Sequence, residues 1–366
     1  MKRNTLIQAG IRVAVLGLGV SGRAAVRYLQ ACGAEVRVSD NRQQQQLLEK
    51  EGEFLEKAGV SWEAGEHTSA FLECCDILFV SPGVPLNLPV LMCLQRKGAR
   101  IMGELALASP ALSETVIAIT GTNGKTTVTT LIGELLKGAG QSAFVGGNIG
   151  TPLFEYLLKG DQFDAVVLEA SSFQLDTAGE FRPDIALLLN VTPDHIDRHG
   201  SLAEYARAKM KIFAHQKPTD IAIINGDDPL CRSLAGEIGS RKMFFGHGQD
   251  CHARIAGKQI ILRWPEYEIY DLAGTRMDNS TGGLNCAAAI LAARSAGCSP
   301  DRIRAGLAAF RPLHHRMEPV AEVAGVVYYD DSKATNTGAV LTALAQIDGR
   351  VVLIAGGRDK GDDYTL

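Results

Sequence analysis

The chain has 366 residues, 46% of them hydrophobic and 21% charged, a composition that excludes long disorder and predicts about two or three compact units. Lys and Arg number 37 against 41 Asp and Glu, for a net charge of -4. That balance excludes the broad basic footprint of a nucleic-acid binder, so an anionic ligand has to be held by local charges and backbone amides. The eight cysteines form no C-x-x-C pair and are expected to be reduced and structural. No apolar run reaches membrane-spanning length and the N-terminus lacks a signal-peptide core, so a cytoplasmic protein without a membrane partner is expected.

In chain order, the apolar strand Arg12 to Leu16 runs into Gly17-Leu18-Gly19-Val20-Ser21-Gly22 and a helix from Arg23 to Gln30. A second strand from Glu35 ends in Asp40. This fits G-x-G-x-x-G followed by a ribose-binding acid, but such a βαβ opening holds any nucleotide diphosphate, not NAD alone. A polar helix from Gln43 to Ala58 follows, then the strand Ile77 to Val80 and the loop Ser81-Pro82-Gly83-Val84-Pro85. A boundary is expected near Leu105 to Ser109, giving a first domain of 1–107.

The strand Val116 to Ile119 then breaks at Thr120-Gly121-Thr122-Asn123-Gly124-Lys125-Thr126-Thr127 before a helix from Val128 to Leu136. A loop of this kind aims backbone N–H groups and a positive helix end at one spot. Lys125 adds a point charge and Thr126 a hydroxyl that suits Mg²⁺. Ile119 stands where the strict phosphate-loop pattern has its first glycine, so the loop is a variant, and its natural ligand is a nucleoside triphosphate.

Gly146-Gly147-Asn148-Ile149-Gly150 precedes a helix start at Thr151-Pro152, with Thr151 suited to the N-cap. The strand Asp164 to Leu168 ends in Glu169, where a second acid meets Mg²⁺ in phosphate-loop proteins. The loop Asn190 to His199 crowds acids and imidazoles at a strand end, which makes His195 a candidate metal ligand or phosphate contact. Ser201 and Glu204 read as a capping box. On the helix they start, Leu202, Ala206, Lys209 and Phe213 share one face, with Arg207 and Lys211 opposite. An ammonium at Lys209 costs free energy unless it is paired, modified, pointed into a polar site or able to snorkel to water.

Short irregular strands are expected over 252–272, then helices from Leu284 to Ala296 and from Pro300 to Ala309. Next come Leu313 to Glu318, a hairpin reaching Tyr329, the run Asp330-Asp331-Ser332-Lys333-Ala334-Thr335-Asn336, a helix, and a strand from Val351 to Ile354. Only 54 residues follow Pro312, fewer than the roughly 100 of an ordinary domain. An incomplete third domain, 313–366, is therefore expected after a central one of 108–312.

Thr120 to Thr127, Gly146 to Gly150, Glu169 to Leu175, Asp194 to His199, Lys209, His315-Arg316 and Asp331 to Asn336 together resemble the Mur ligase family of peptidoglycan synthesis. The D-glutamate-adding branch is indicated by Ser171-Ser172-Phe173-Gln174-Leu175 and the Gly17 to Gly22 loop. The resemblance implies an α/β protein: a Rossmann-like N-terminal domain for the UDP substrate, a central ATPase-like domain, and the start of a third Rossmann-like domain for the amino acid.

It implies ATP and Mg²⁺ as cofactors, and UDP-N-acetylmuramoyl-L-alanine and D-glutamate as partners of a monomeric ligase of cell wall biogenesis. Val20, Ser21, Asp40 and Asn41 would hold the uridine nucleotide. Gly121, Thr122, Asn123, Gly124, Lys125, Thr126, Thr127, Asn285, His315, Arg316 and Asp331 would hold ATP. Thr126, Glu169, His195 and Lys209, the last as a carbamate, would serve the metal; Lys125, His195 and Lys209 would be catalytic. Asn148 and Ser172 would contact the acyl substrate, and Lys333, Thr335 and Lys360 would line the amino-acid side. Where the family carries His-Asn ahead of Asn285, this chain has Thr281-Gly282. The shortness of the third domain implies nucleotide binding with little turnover. Other expectations are a folylpolyglutamate synthase-type ligase, a nucleotide-binding fragment, or an NAD-dependent oxidoreductase, the last leaving the phosphate loop and Lys209 unexplained.

Overall fold

In a computed structural model the described residues are 1–366 apart from Arg3, Pro312, Leu313, Gln346, Asp348 and residues 358–366. The chain divides into two compact units, Met1–Val116 with Phe144–Arg182, and Ile117–Ala143 with Pro183–Leu366.

The first unit holds a five-stranded sheet in the order Ser61–Ala64, Glu35–Asp40, Arg12–Leu16, Ile77–Val80, Arg100–Met102, parallel throughout. Val13 to Leu16 and Ile77 to Phe79 are fully buried, as expected of parallel strands covered on both faces. The order is that of a Rossmann half, which places ligands at the carboxyl ends of the strands. The first helix begins at Val20, earlier than the sequence indicates, because Gly19 serves as its N-cap. Gly22 is required there: a Cβ would overlap the carbonyl oxygen of Gly17. The strands Ala143–Gly147 and Ala165–Glu169 lie side by side. The helix after the first of these spans Leu153–Lys159 with Pro152 as N-cap, one residue later than expected, because the Thr151 carbonyl is taken by the Gly147 N–H at 3.1 Å. Glu104, fully buried, accepts from Phe154 N at 2.9 Å at that helix start.

In the second unit the strands run Glu268–Asp271, Gln259–Leu262, Ala253–Ala256, Arg241–Gly246, Ile221–Asn225, Ile185–Leu188 and Thr115–Thr120. Pairing is parallel from Ala253–Ala256 onward and antiparallel in the meander before it, so the irregular stretch 252–272 is a regular meander. The helix Lys125–Gly138 buries Val128, Leu131, Ile132, Leu135 and Leu136, the i, i+3, i+4 spacing of one face. Each such side chain stabilises the fold by roughly 1.5–3 kcal/mol. Packed against it is Ser280–Ser295, whose residues Cys286 to Ala293 are all fully buried. Such a helix is apolar on every side because sheet and helices surround it.

The expected hairpin is present as Glu318–Val323 and Val326–Asp330. The expected strand Val351 to Ile354 is not: residues 351–356 lie in no strand, and Val352 and Ile354 are 91% and 93% exposed. Among the described residues no strand pairs with them, and an apolar run without a ladder partner does not settle into a sheet.

Candidate active site

The strand Thr115–Thr120 delivers the chain to the loop, and the helix opens at Lys125 with Gly124 as N-cap at a φ of 83°. Only glycine takes that left-handed conformation readily, and a Cβ at Gly124 would stand 2.6 Å from Asn285 Oδ1. The helix therefore begins three residues earlier than its apolar periodicity indicates, with Lys125 and Thr126 in its first turn, where N–H groups have no acceptor within the helix.

Asn190 holds the loop open. Its Oδ1 accepts from Thr122 N at 3.1 Å and Asn123 N at 2.8 Å, and its Nδ2 donates to Asn123 O at 3.0 Å. Thr192 N donates to Thr122 Oγ1 at 3.0 Å. Lys125 Nζ folds back onto the carbonyls of Gly121, at 2.9 Å, and Thr122, at 2.8 Å. These contacts make up for the missing first glycine by bracing the loop from the neighbouring strand end. Asn190 and Thr192 were not singled out by sequence, since a polar strand end has no signature of its own.

Lys209 is 1% exposed on the helix Leu202–Met210. Its Nζ donates to Gly121 O at 2.8 Å and lies 4.2 Å from the centroid of the Tyr205 ring. Arg207 and Lys211 are exposed, as the helical face requires. Burial pushes the Tyr205 phenol up to about 12, so the ring stays neutral beside the cation. Ser201 Oγ caps the helix through Glu204 N at 3.2 Å, while the Glu204 carboxylate pairs with Arg207. The full reciprocal capping box is instead at Ser171 and Gln174, where Ser-Ser-Phe-Gln was singled out for a different reason. His195 has a φ of 53°, unusual for a side chain other than glycine, and its N–H donates to Asp194 Oδ1 at 2.9 Å.

A cavity of about 460 Å³ opens beside the loop, lined by Asn123, Gly124, Thr127, Asn285, Arg316, Asp331 and Lys333 among others. The volume suits a nucleotide-sized ligand. Arg276, Arg311, Arg316 and Lys333 stand against Glu318 and Asp331 in the lining, so the wall favours an anion. Burial raises the Asp331 carboxyl above its usual range, against the N–H of Met317 and the charge of Arg316. Thr281 and Gly282 also line the cavity, and Gly282 is held by its N–H to Asn279 Oδ1 at 2.7 Å. His315 is not in this lining. Its Nδ1 lies 2.6 Å from Asp330 Oδ2, and His314 takes the lining position. Thr335 is exposed, and Lys360 lies outside the described residues.

In the first unit, Asn148 and Glu169 come together: Asn148 Nδ2 donates to Glu169 Oε1 at 2.8 Å, and Asn148 N to Glu169 O at 2.9 Å. Glu169 and Ser172 are both buried. At the Gly17 loop, Asp40 Oδ2 accepts from Leu18 N at 2.7 Å, and Oδ1 accepts from Arg42 Nε at 2.8 Å. Burial pushes this carboxyl up, but Arg42 and the N–H groups of Leu18 and Arg42 outweigh it and hold it below its usual range. Val20 and Asn41 are exposed and Ser21 half-buried beside it. Arg42, absent from the sequence-based set, also donates to Leu18 O at 3.0 Å, and Arg23 grips Glu51 through both carboxylate oxygens. Among the described residues no cluster of three or more His, Cys, Asp or Glu side chains is gathered.

No helix among the described residues is long and apolar enough to cross a membrane. Residues 119–282 match the Mur ligase middle domain, and residues 11–103 match the Mur ligase MurD-like N-terminal domain. The chain is 51% identical over 367 residues to UDP-N-acetylmuramoylalanine--D-glutamate ligase of Desulfotalea psychrophila, covering 100% of this chain and 80% of that protein. It is 41% identical to the enzyme of the same name from Koribacter versatilis, over 98% of this chain and 80% of that protein. Among solved structures, the MurF ligase of Thermotoga maritima in complex with ADP shares the fold at a TM-score of 0.54 and 22% identity, over 96% of this chain and 75% of that one. A pseudomurein peptide ligase type C from Methanothermus fervidus does so at 0.53 and 20%, over 92% and 77%. The braced phosphate loop, the Rossmann-order sheet and these matches lead to one conclusion: the chain belongs to the Mur ligase family.

Proposed function

We propose that the chain is an ATP-dependent, ADP-forming ligase that joins D-glutamate to UDP-N-acetylmuramoyl-L-alanine through an acyl phosphate, in the cytoplasm. The observation that carries this is the cavity of about 460 Å³ that begins at the Asn123–Gly124 turn and is walled by Asn285, Arg316 and Asp331. It fits a nucleotide: a helix N-terminus at one end, an excess of cationic side chains, and room for a base. The 51% identical relative supports the choice of acceptor and amino acid.

A carboxylate is a poor acyl donor, and activation gives it a leaving group before the amine of D-glutamate attacks. Lys125 and the first turn of its helix offset charge on the phosphates, and positioning supplies much of the remaining acceleration. Mg²⁺, when bound, would neutralise phosphate charge, with Thr126, Glu169, His195 and a carbamylated Lys209 as its residues. Asn148 and Ser172 face the acyl substrate in this reading; Val20, Ser21, Asp40 and Asn41 hold the uridine nucleotide. Lys333, Thr335 and Lys360 serve the amino acid, and His315 joins Arg316 at the nucleotide when its bond to Asp330 is exchanged. The domains are 1–107, 108–312 and 313–366, and the protein is a monomer.

The test is phosphate release with ATP and UDP-N-acetylmuramoyl-L-alanine, with D-glutamate, L-lysine or NADH supplied in parallel. Release dependent on D-glutamate, at low turnover, is expected. Release with L-lysine alone would reassign the amino acid, NADH oxidation would overturn the ligase reading, and ATP binding without release would leave a nucleotide-binding protein.

A further inference from the structure

Asn336 closes the run Asp331 to Asn336 and has no role in the reading above. It is 7% exposed, and its side-chain amide is committed to three segments of the second unit. Its Oδ1 accepts from Ala339 N at 2.8 Å, capping the helix Thr337–Leu344. Its Nδ2 donates to Asn123 Oδ1 at 3.1 Å and to Asp194 Oδ2 at 3.2 Å. Asn123 belongs to the phosphate loop and lines the cavity. The other oxygen of Asp194 accepts from His195 N at 2.9 Å. The segment just before Asn336 contributes Asp331 and Lys333 to the same cavity.

We propose that Asn336 is a positioning residue that couples occupancy of the phosphate loop to the placement of the segment Asp331–Asn336 and its helix. The inference rests on nucleotide binding at the loop. Both amide hydrogens are used in a buried place, one of them on a carboxylate, so losing them removes a hydrogen bond from Asp194 Oδ2 and one from Asn123 Oδ1. A nucleotide that orders Asn123 then orders Thr337–Leu344 through one side chain, and by linkage the helix strengthens nucleotide binding in return. Capping alone cannot explain the choice of residue. Ser and Asp cap a helix about as well as Asn, but Ser is too short to reach both acceptors and Asp has nothing to donate.

The experiment uses the full chain with ADP and Mg²⁺, measuring affinity by calorimetry and amide exchange across residues 337–344. In the unaltered protein ADP slows exchange there. Asn336→Ser is expected to abolish that protection and weaken ADP about tenfold; Asn336→Asp weakens it further, because its carboxylate faces Asp194. Combining Asn336→Asp with Asp194→Asn restores protection, since the amide introduced at 194 donates to the carboxylate introduced at 336, which also accepts from Asn123 Nδ2, 3.5 Å from Asn336 Oδ1 in the unaltered chain. This pair decides the matter even if Asn336→Ser fails to fold. Wild-type affinity and protection in both single variants, or no recovery in the pair, reduces Asn336 to a cap and overturns the proposal. Absence of ADP binding by the unaltered chain would overturn the nucleotide reading itself, and this inference with it.

Discussion

Lys209 is a lysine placed where the helix Leu202–Met210 turns its apolar face inward, and the structure gives it a carbonyl, Gly121 O at 2.8 Å, and an aromatic face, that of Tyr205. Its position is thus fixed against the phosphate loop. Lys209→Met keeps the volume and loses the charge, so the fold should survive while ligase turnover falls below a tenth of wild type; unchanged turnover in a phosphate-release assay would remove Lys209 from the catalytic set. Lys125 acts on the same loop from the other side. Lys125→Ala removes the point charge at the helix N-terminus and the bonds that hold it to Gly121 O and Thr122 O, and ATP affinity measured by calorimetry should drop at least about tenfold, the loss of one charge-assisted contact to a phosphate. At Asp40 the sign of the pH effect follows from its depressed carboxyl. Stability from the Asp40–Arg42–Leu18 contacts is present above the ordinary carboxylate range and is lost as pH falls through the folded value. Asp40→Asn should therefore lower the unfolding midpoint at neutral pH and flatten its acid limb; an unaltered acid limb would show that the pair contributes nothing.

The helix Leu153–Lys159 opens on a buried acid. Desolvation pushes the Glu104 carboxyl up to about 7, against the N–H groups of Phe154 and Leu153. A raised carboxyl favours the protonated folded state, so its contribution is complete below about pH 4.5, declines as pH rises toward 7, and is constant above. Glu104→Gln keeps an acceptor for Phe154 and has no proton to lose. The variant should be the more stable one above pH 7, by up to roughly 3 kcal/mol from the shift, with urea unfolding at pH 5 and pH 8 as the check. Equal pH dependence in both proteins would show that Glu104 does not titrate in this range. The turn before the first helix makes the opposite demand, for the absence of a side chain. Gly22→Ala drives a Cβ into the Gly17 carbonyl and should destabilise the first unit by about 1–3 kcal/mol in the same assay.

At the scale of the molecule, apolar runs and amphipathic stretches placed the strands Arg12–Leu16, Glu35–Asp40, Ile77–Val80, Thr115–Thr120 and Ala165–Glu169 and the long helices, because parallel strands are continuously apolar and helices repeat every 3.6 residues; Ser61–Ala64, Ala143–Gly147, Arg241–Gly246 and the helix Pro89–Arg96 were not placed. The loop Thr120 to Thr127, the acid Glu169 and the misplaced lysine Lys209 were legible for a related reason: each breaks a local pattern that folding alone would favour. The sequence by itself therefore determined the fold class, the family resemblance and part of the cavity lining, Asn123, Gly124, Thr127, Asn285, Arg316 and Asp331. Only the tertiary structure decided which polar side chains brace the phosphate loop and the Gly17 loop. Asn190, Arg42 and Asn336 lie 67, 24 and 213 positions from the loop residues they bond, separations at which spacing carries no signal. It also decided that His314 rather than His315 lines the cavity and that Val351 to Ile354 forms no strand. Periodicity reports which face a residue turns to its own element's core, whereas a hydrogen bond across elements depends on register and on backbone angles such as the φ of 64° at His315, which three-dimensional packing imposes.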